Sequence, residues 1–172
     1  MRRTIVLVGL PGSGKSTAGA LAAADLGVPF VDLDVVIERL AGKSIARVFQ
    51  EDGEVVFRAL EARAGAEALA GPPCVLAPGG GFPLDTVTRR LLGGSALTIY
   101  LRTSPAEAAR RLESAQDRPL LTSADPEQRL RELLEQRDAI YRQSEQQVMT
   151  DGLTPRAVAD LVVMLAREDR DL

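Results

Sequence analysis

The sequence predicts a single α/β domain with a short parallel sheet of about five strands and helices on both faces. Short apolar runs rich in β-branched residues alternate with helical segments along the whole chain. A hydrophobic fraction of 45% and a charged fraction of 26% over 172 residues are typical of one globular domain with its own core. Glycines or aspartates directly follow three of the apolar runs. Because parallel sheets bind ligands beyond the carboxyl ends of their strands, we expect these residues to meet in one cleft.

The first half of the chain alternates between the two kinds of element. The run at 4–8 is apolar and β-branched, as in a buried strand, and the segment after Ser16 is rich in alanine and leucine, with Gly27 as a helix stop. The elements predicted here are a strand at 4–8, a helix at 16–26, a strand at 28–32 and a helical region at 35–69 that is broken near Gly42 and Gly53.

The second half continues the alternation. Ser104 precedes Pro105 and has Glu107 at the third helical position, which predicts a capping box at the start of a helix. The elements predicted here are a strand at 75–77, a helix at 84–92, a strand at 96–101, a helix from Pro105, a helix at about 126–147, a last short strand at 148–150 and a closing helix from Pro155.

Residues 9–16 match G-x-x-x-x-G-K-[ST] at every fixed position, between a predicted strand and a predicted helix. Such a loop points its backbone N–H groups at phosphate oxygens, and the helix N-terminus adds partial positive charge. Lys15 would reach the β- and γ-phosphates, and the Ser16 hydroxyl would bind Mg²⁺. The sequence therefore predicts a nucleoside triphosphate site.

Asp32 and Asp34 end the second predicted strand. Residues two apart in an extended segment face the same side, so both carboxylates can point into the cleft. One division gives Asp32 to the Mg²⁺ shell, directly or through water, and lets Asp34 orient or deprotonate an acceptor hydroxyl. The alternative is a solvated strand end followed by an Asp34 helix cap.

Composition excludes several classes of protein. The net charge of −3 with dispersed Lys and Arg does not indicate a nucleic-acid partner, and no apolar run approaches the roughly 20 residues needed to span a bilayer. The short run after the N-terminal arginines leads into the glycine loop, so we expect a cytoplasmic protein without a signal peptide. The single cysteine, Cys74, is expected to be a buried small hydrophobe. Because histidine is absent, carboxylates must handle protons and any hard cation.

The motifs taken together resemble the shikimate kinase family over nearly the whole chain. The matching segments are 9–17, Asp32-x-Asp34, 52–61 (D-G-E-x-x-F-R-x-x-E), Gly79-Gly80-Gly81, Arg118-Pro119-Leu120-Leu121 and Arg137-x-x-x-Tyr141. The resemblance implies one P-loop kinase domain over 1–172, with a three-layer fold, a substrate-binding helical region at about 34–60 and a mobile lid at about 114–125. It also implies that ATP with Mg²⁺ phosphorylates the 3-hydroxyl of shikimate, a step toward chorismate and the aromatic amino acids.

The resemblance assigns roles residue by residue. The implied nucleotide-binding residues are Gly12, Ser13, Gly14, Lys15, Ser16, Thr17, Arg111, Arg118 and Pro155, of which Arg111 and Pro155 would sandwich the adenine ring. The implied shikimate-binding residues are Asp34, Arg58, Gly79, Gly80, Gly81 and Arg137. The implied catalytic residues are Lys15, Asp34 and Arg118, and Ser16 and Asp32 would hold the metal.

Several of these roles have a simpler alternative. Arg58 could form a surface ion pair with Glu54 and Glu61, and Arg118 and Arg137 could be exposed arginines. The glycine triplet could be a flexible turn, and we expect Tyr141 to serve only in packing.

The chain departs from the family pattern around the triplet. Pro78 precedes it and Phe82-Pro83 follow it, so a kinase for another small polyol acid, such as gluconate, stays open. So does a nucleotide-binding sensor module without catalysis. Otherwise ATP and shikimate are the expected partners, and a monomer is the default state.

Overall fold

The computed structural model describes residues 3–84, 86–113 and 125–169, and its strands form one five-stranded parallel sheet. The strands are β1 (Thr4–Val8), β2 (Phe30–Asp32), β3 (Val75–Ala77), β4 (Ala96–Arg102) and β5 (Gln146–Met149). The helices are α1 (Lys15–Leu26), α2 (Leu33–Ala41), α3 (Ile45–Glu51), α4 (Gly53–Ala70), α5 (Thr86–Leu92), α6 (Pro105–Glu113), α7 (Pro126–Tyr141) and α8 (Pro155–Glu168), with a 3₁₀ turn at Phe82–Leu84. The predicted fold class is confirmed.

The strand order is β2-β3-β1-β4-β5, so β1 lies at the centre of the sheet. The chain moves from β1 toward one edge and then crosses back to β4, which makes β1 the point where the strand order reverses. Asp32 pairs with Ala77 in the sheet, so the segments after β2 and β3 leave it at the same level. Ligands of open α/β sheets bind at such a reversal, beyond the carboxyl ends of the strands.

The core has two large clusters, one on each face of the sheet, and a smaller cluster between α6 and α7. Ile5 and Leu7 of β1 pack on the side of α1 and α8, whereas Val6 and Val8 pack on the side of α2 and α4. All four side chains are buried. This explains why β1 is continuously apolar rather than alternating, because a parallel strand covered on both faces has no solvent-facing side.

The helix predicted at about 126–147 is wrong at its carboxyl end. α7 stops at Tyr141, and the N–H groups of Gln143 and Ser144 donate to Ile140 and Tyr141 in a turn. Residues 146 and 147 instead pair with Ile99 and Tyr100 of β4. The backbone hydrogen bonds of the sheet edge outweigh the intrinsic helix preference of the glutamines, because tertiary pairing overrides local propensity.

The capping box predicted at the start of α6 is only half formed. The Glu107 N–H donates to Ser104 Oγ at 3.2 Å, as expected. The reciprocal bond is replaced, because the Ser104 N–H donates to Asp151 Oδ1 at 2.9 Å while the Glu107 carboxylate pairs with Arg110 and Arg111.

Two further expectations concern the single cysteine and the presence of membrane-spanning helices. The thiol of Cys74 is buried, as predicted, and burial raises its pKa. Within the residues that the structure describes, no helix has the length and apolarity needed to cross a membrane.

Candidate active site

The glycine loop joins β1 to α1 and brings backbone N–H groups to the start of that helix. Gly12 has φ of 80°, and a Cβ atom there would lie 2.6 Å from the Ala108 carbonyl oxygen, so only glycine fits. Lys15 is the first residue of α1, and its ammonium donates to the carbonyl oxygens of Gly9 at 2.9 Å and Leu10 at 2.8 Å. The Lys15 charge is thus held directly at the loop, where phosphates would bind.

Ser16 and Asp32 meet beside the glycine loop. The Ser16 hydroxyl donates to Asp32 Oδ2 at 2.8 Å, and Asp32 Oδ1 accepts from the Asp34 N–H at 3.1 Å. Asp32 is therefore the cap of α2, and the alternative that Asp34 caps this helix is wrong because Asp34 lies within its first turn. The same finding corrects the extended-strand argument for the pair, since Asp34 enters the site from a helix.

The oxygen donors of Ser16 and Asp32 fit a hard cation such as Mg²⁺. In 3–84, 86–113 and 125–169 there is no group of three or more acidic, cysteine or histidine side chains that could hold a metal. Proteins usually hold Mg²⁺ through one or two carboxylates together with the phosphates of the substrate.

The Asp34 and Glu61 carboxylates approach the first glycine of the triplet. A Cβ atom at Gly79 would lie 3.1 Å from Glu61 Oε1 and 3.6 Å from Asp34 Oδ1. Asp34 belongs to α2 and Glu61 to α4, so two helices bring their acids to the end of β3. The simple turn proposed as an alternative for the triplet does not account for this close packing.

Two arginines approach the other glycines. A Cβ atom at Gly81 would lie 2.7 Å from Arg58 Nη1, and one at Gly80 would lie 3.1 Å from Arg137 Nη1. That same position at Gly80 would be 3.3 Å from the carbonyl oxygen of Gly9, the first residue of the phosphate loop. The triplet therefore lies close to both the phosphate loop and the two guanidinium groups.

The ion pairs of Arg58 are only partly those of a surface helix. Its Nη2 lies 3.3 Å from the exposed Glu54 carboxylate, but its Nη1 donates at 2.6 Å to Glu61 Oε2, and the Glu61 side chain is only 5% exposed. The buried residues of α4 include Phe57, Glu61 and Ala64, an i, i+4, i+7 stripe. A glutamate on an otherwise apolar stripe is the sequence signal that could have marked Glu61 as part of the site.

One carboxylate oxygen of Glu61 is left without a hydrogen-bond donor by the residues that the structure describes. This atom, Oε1, is buried. Burial raises the pKa of Glu61; the Arg58 guanidinium opposes this shift, and the negative charge of Asp34 adds to it.

We expect Glu61 to make stability depend on pH. Since its pKa is higher in the folded than in the unfolded chain, the folded state binds the extra proton. The stability that Glu61 contributes is fully present below its pKa in the unfolded chain. It is lost as the pH rises through its pKa in the folded chain. Urea unfolding of the wild type and Glu61→Gln at several values from about pH 4 to about pH 7 measures this. The free energy of unfolding of the wild type minus that of the variant should fall as the pH rises. A difference that rises with pH would contradict the raised pKa of Glu61.

Arg111 lies against the phosphate loop. Its Nη1 lies 3.5 Å from the Ser13 carbonyl oxygen, and its Nη2 donates to the Thr150 carbonyl oxygen at 2.6 Å. Glu107 accepts from its Nε at 2.8 Å and so fixes the side chain. Pro155 begins α8 shortly after Thr150, so Arg111 contacts the segment that leads to Pro155, the other residue implied for adenine.

Several predicted residues are not brought together here. Arg118 and nearly all of the predicted lid at 114–125 lie outside the described residues, and only Asp125 at its end is described, as the cap of α7. Tyr141, expected to serve only in packing, also makes a polar contact, because its hydroxyl donates to the Gly80 carbonyl oxygen at 2.6 Å.

The chain is similar to known proteins over nearly its whole length. A family model described as shikimate kinase matches residues 11–166. A shikimate kinase of Saccharopolyspora erythraea is 44% identical over 166 residues, covering 96% of this chain and 94% of that protein. A structure of shikimate kinase from Acinetobacter baumannii in complex with shikimate superimposes with a TM-score of 0.90 at 35% identity, covering 97% of this chain and 94% of the other. A gluconokinase from Sinorhizobium meliloti has a TM-score of 0.65 at 22% identity, covering 99% of this chain and 95% of that one, and this likeness concerns the fold alone.

Proposed function

This chain belongs to the shikimate kinase family, and on that premise we propose that it transfers the γ-phosphoryl group of ATP to the 3-hydroxyl of shikimate. The enzyme is an ATP-dependent kinase that phosphorylates shikimate. The observation that supports the details most strongly is the glycine triplet, which has the phosphate loop on one side and the side chains of Asp34, Arg58 and Arg137 around it. A phosphoryl donor and a carboxylate-bearing alcohol can therefore bind side by side.

On the donor side, the glycine loop and Lys15 would hold the β- and γ-phosphates. Ser16 and Asp32 would hold Mg²⁺, which when bound would neutralise phosphate charge. The Ser16–Asp32 hydrogen bond of 2.8 Å supports this, since it already brings the two oxygen donors together. Arg118, outside the described residues, remains our candidate for stabilising the charge that develops on the transferred group.

On the acceptor side, Arg58 and Arg137 would bind the shikimate carboxylate, and Asp34 would accept a hydrogen bond from the 3-hydroxyl. The 3-hydroxyl oxygen forms a bond to the γ-phosphorus while the bond from that phosphorus to the bridging oxygen of ADP breaks. The hydroxyl proton passes to Asp34. The protein forms no covalent bond to the substrate in this step, so the rate depends on how it orients the reactants and stabilises the developing charge.

Shikimate-dependent ADP release by the purified protein tests this function. We expect ADP only when ATP, Mg²⁺ and shikimate are all present, and little ADP when gluconate replaces shikimate. Saturable turnover of gluconate but not shikimate would favour a kinase for another polyol acid. Nucleotide binding without turnover of either substrate would favour a sensor module.

Replacing Arg58 by alanine should raise the KM for shikimate by about 10- to 100-fold, the range expected when a charge-assisted hydrogen bond is lost. The KM for ATP should change little, because Arg58 lies on the acceptor side of the triplet. Initial rates at varied shikimate and varied ATP measure both constants.

Arg63→Ala is the matched control, since Arg63 belongs to the same helix and pairs only with the exposed Glu67 among the contacts described. Because Arg58→Ala also leaves the Glu61 carboxylate buried without its guanidinium, unfolding should be measured on both variants. An unchanged shikimate KM in Arg58→Ala would mean that the carboxylate binds elsewhere.

That the enzyme is a cytoplasmic monomer without a nucleic-acid partner stays a prediction. Sedimentation at assay concentration tests the monomeric state, and a concentration-dependent rise in mass would contradict it.

A further inference from the structure

Tyr141 lies where α7 meets the glycine triplet, and the function proposed above gives it no role. The side chain is fully buried. Its hydroxyl donates to the carbonyl oxygen of Gly80 at 2.6 Å, a good length for a bond between two oxygens. Since Gly80 and Tyr141 are 61 positions apart in the chain, this bond joins the end of β3 to the end of α7.

The Phe82 N–H donates to the Gly79 carbonyl oxygen at 3.0 Å and closes a turn with Gly80 and Gly81 at its centre. The bond from Tyr141 adds a constraint on the central peptide group of this turn. Three consecutive glycines have no Cβ atoms to restrict their backbone. A peptide unit is planar and trans, so its carbonyl and its N–H point in opposite directions. Holding the Gly80 carbonyl against Tyr141 therefore turns the Gly81 N–H to the opposite side.

The same hydroxyl lies close to the guanidinium of Arg137. A Cβ atom at Gly80 would lie 3.1 Å from Arg137 Nη1 and 3.2 Å from Tyr141 Oη, so both groups reach the same glycine. The two residues are four apart on α7 and share one face of it. The Arg137 Nε atom is buried and has no hydrogen-bond partner among the described residues. The neighbouring phenol contacts this guanidinium, and the Glu61 carboxylate is near enough to interact with its charge.

The Tyr141 ring is itself fixed. Its centroid lies 5.1 Å from that of Tyr100 at an interplanar angle of 45°. The Tyr100 hydroxyl donates to Asp138 Oδ1 at 2.9 Å. Burial raises the pKa of Tyr141, so its hydroxyl keeps its proton and remains a donor at neutral pH.

We propose that Tyr141 is a positioning residue for shikimate: its hydroxyl holds the Gly80–Gly81 peptide and the Arg137 guanidinium in the arrangement that receives the substrate. This inference rests on the proposed function and deepens it. Tyr141 acts on the acceptor side alone, so ATP binding does not depend on its hydroxyl.

The kinetic test compares Tyr141→Phe with Tyr100→Phe. Each substitution removes one hydroxyl from one ring of the same buried pair, but only the first removes the bond to Gly80. We expect Tyr141→Phe to raise the KM for shikimate by about 10-fold, as for a buried carbonyl left without its donor, and to leave the KM for ATP unchanged. Tyr100→Phe should lower stability without moving either KM. Equal shikimate KM values in the wild type and Tyr141→Phe would overturn the proposal.

A binding measurement covers the case in which Tyr141→Phe does not fold. The chain has two tyrosines and no tryptophan, so Tyr100→Phe contains Tyr141 as its single emitting residue. Titrating this variant with shikimate in the absence of nucleotide should change the tyrosine emission with saturation at the kinetically determined affinity. Saturation of turnover without any change in that emission would overturn the proposal.

A wild-type protein that releases no ADP with shikimate would overturn the proposed function, and the role of Tyr141 with it. A wild-type protein that turns over shikimate, with Tyr141→Phe behaving identically, would overturn only the role of Tyr141.

Discussion

Replacing Asp34 with asparagine should lower kcat for shikimate phosphorylation by about 10²- to 10⁴-fold, the usual contribution of a positioned proton acceptor. Asparagine keeps the size of the side chain and can still accept a hydrogen bond, but it cannot take the hydroxyl proton. The backbone N–H of residue 34 would still donate to Asp32 Oδ1, so the start of α2 should be preserved. The expected result is therefore a loss of turnover with ATP binding intact.

Single-turnover rates and an ATP titration of Asp34→Asn measure the two quantities separately. Asp25→Asn is a suitable control, because Asp25 pairs with Arg156 at the carboxyl end of α1, away from the triplet. A variant with near-normal kcat would remove Asp34 from the mechanism. A loss of only a few fold would mean that Asp34 orients the hydroxyl without taking its proton.

Replacing Lys15 with methionine should reduce kcat/KM by at least about 10²- to 10³-fold, the loss typical of removing one preorganised group that faces developing charge. The Lys15 ammonium is held by the carbonyl oxygens of Gly9 and Leu10 inside the loop. Methionine has a side chain of similar length but no charge, so it should weaken both ATP binding and transition-state stabilisation.

The control for this variant is Lys43→Met, which alters the only other lysine of the chain. Lys43 lies between α2 and α3 and pairs with Glu51 and Asp52 at the carboxyl end of α3. Because Lys15 also bonds its own loop, thermal unfolding of both variants is needed. Lys15→Met with full activity would end the assignment of residues 9–16 as the phosphate site.

The fold and the phosphate loop could be predicted because their signals are local. The apolar run of β1, the glycines after it and the helix that follows lie next to one another in the chain, and each sets its own geometry. The spacing of Asp34, Arg58 and Arg137 was sufficient to suggest the acceptor site through the family resemblance. The boundary of α7 could not be predicted in the same way, because the pairing of residues 146 and 147 with β4 competes with local helix preference.

Burial and partner choice were decided by the tertiary structure. The sequence by itself determined which chemistry is present: a phosphate loop, an acid pair, two arginines and a flexible glycine segment. It could not show that Glu61 is buried against Arg58, or that Tyr141 reaches the Gly80 carbonyl across 61 positions. Side-chain period and motif spacing report on neighbours in the chain, whereas desolvation and long-range hydrogen bonds depend on which elements the fold packs together.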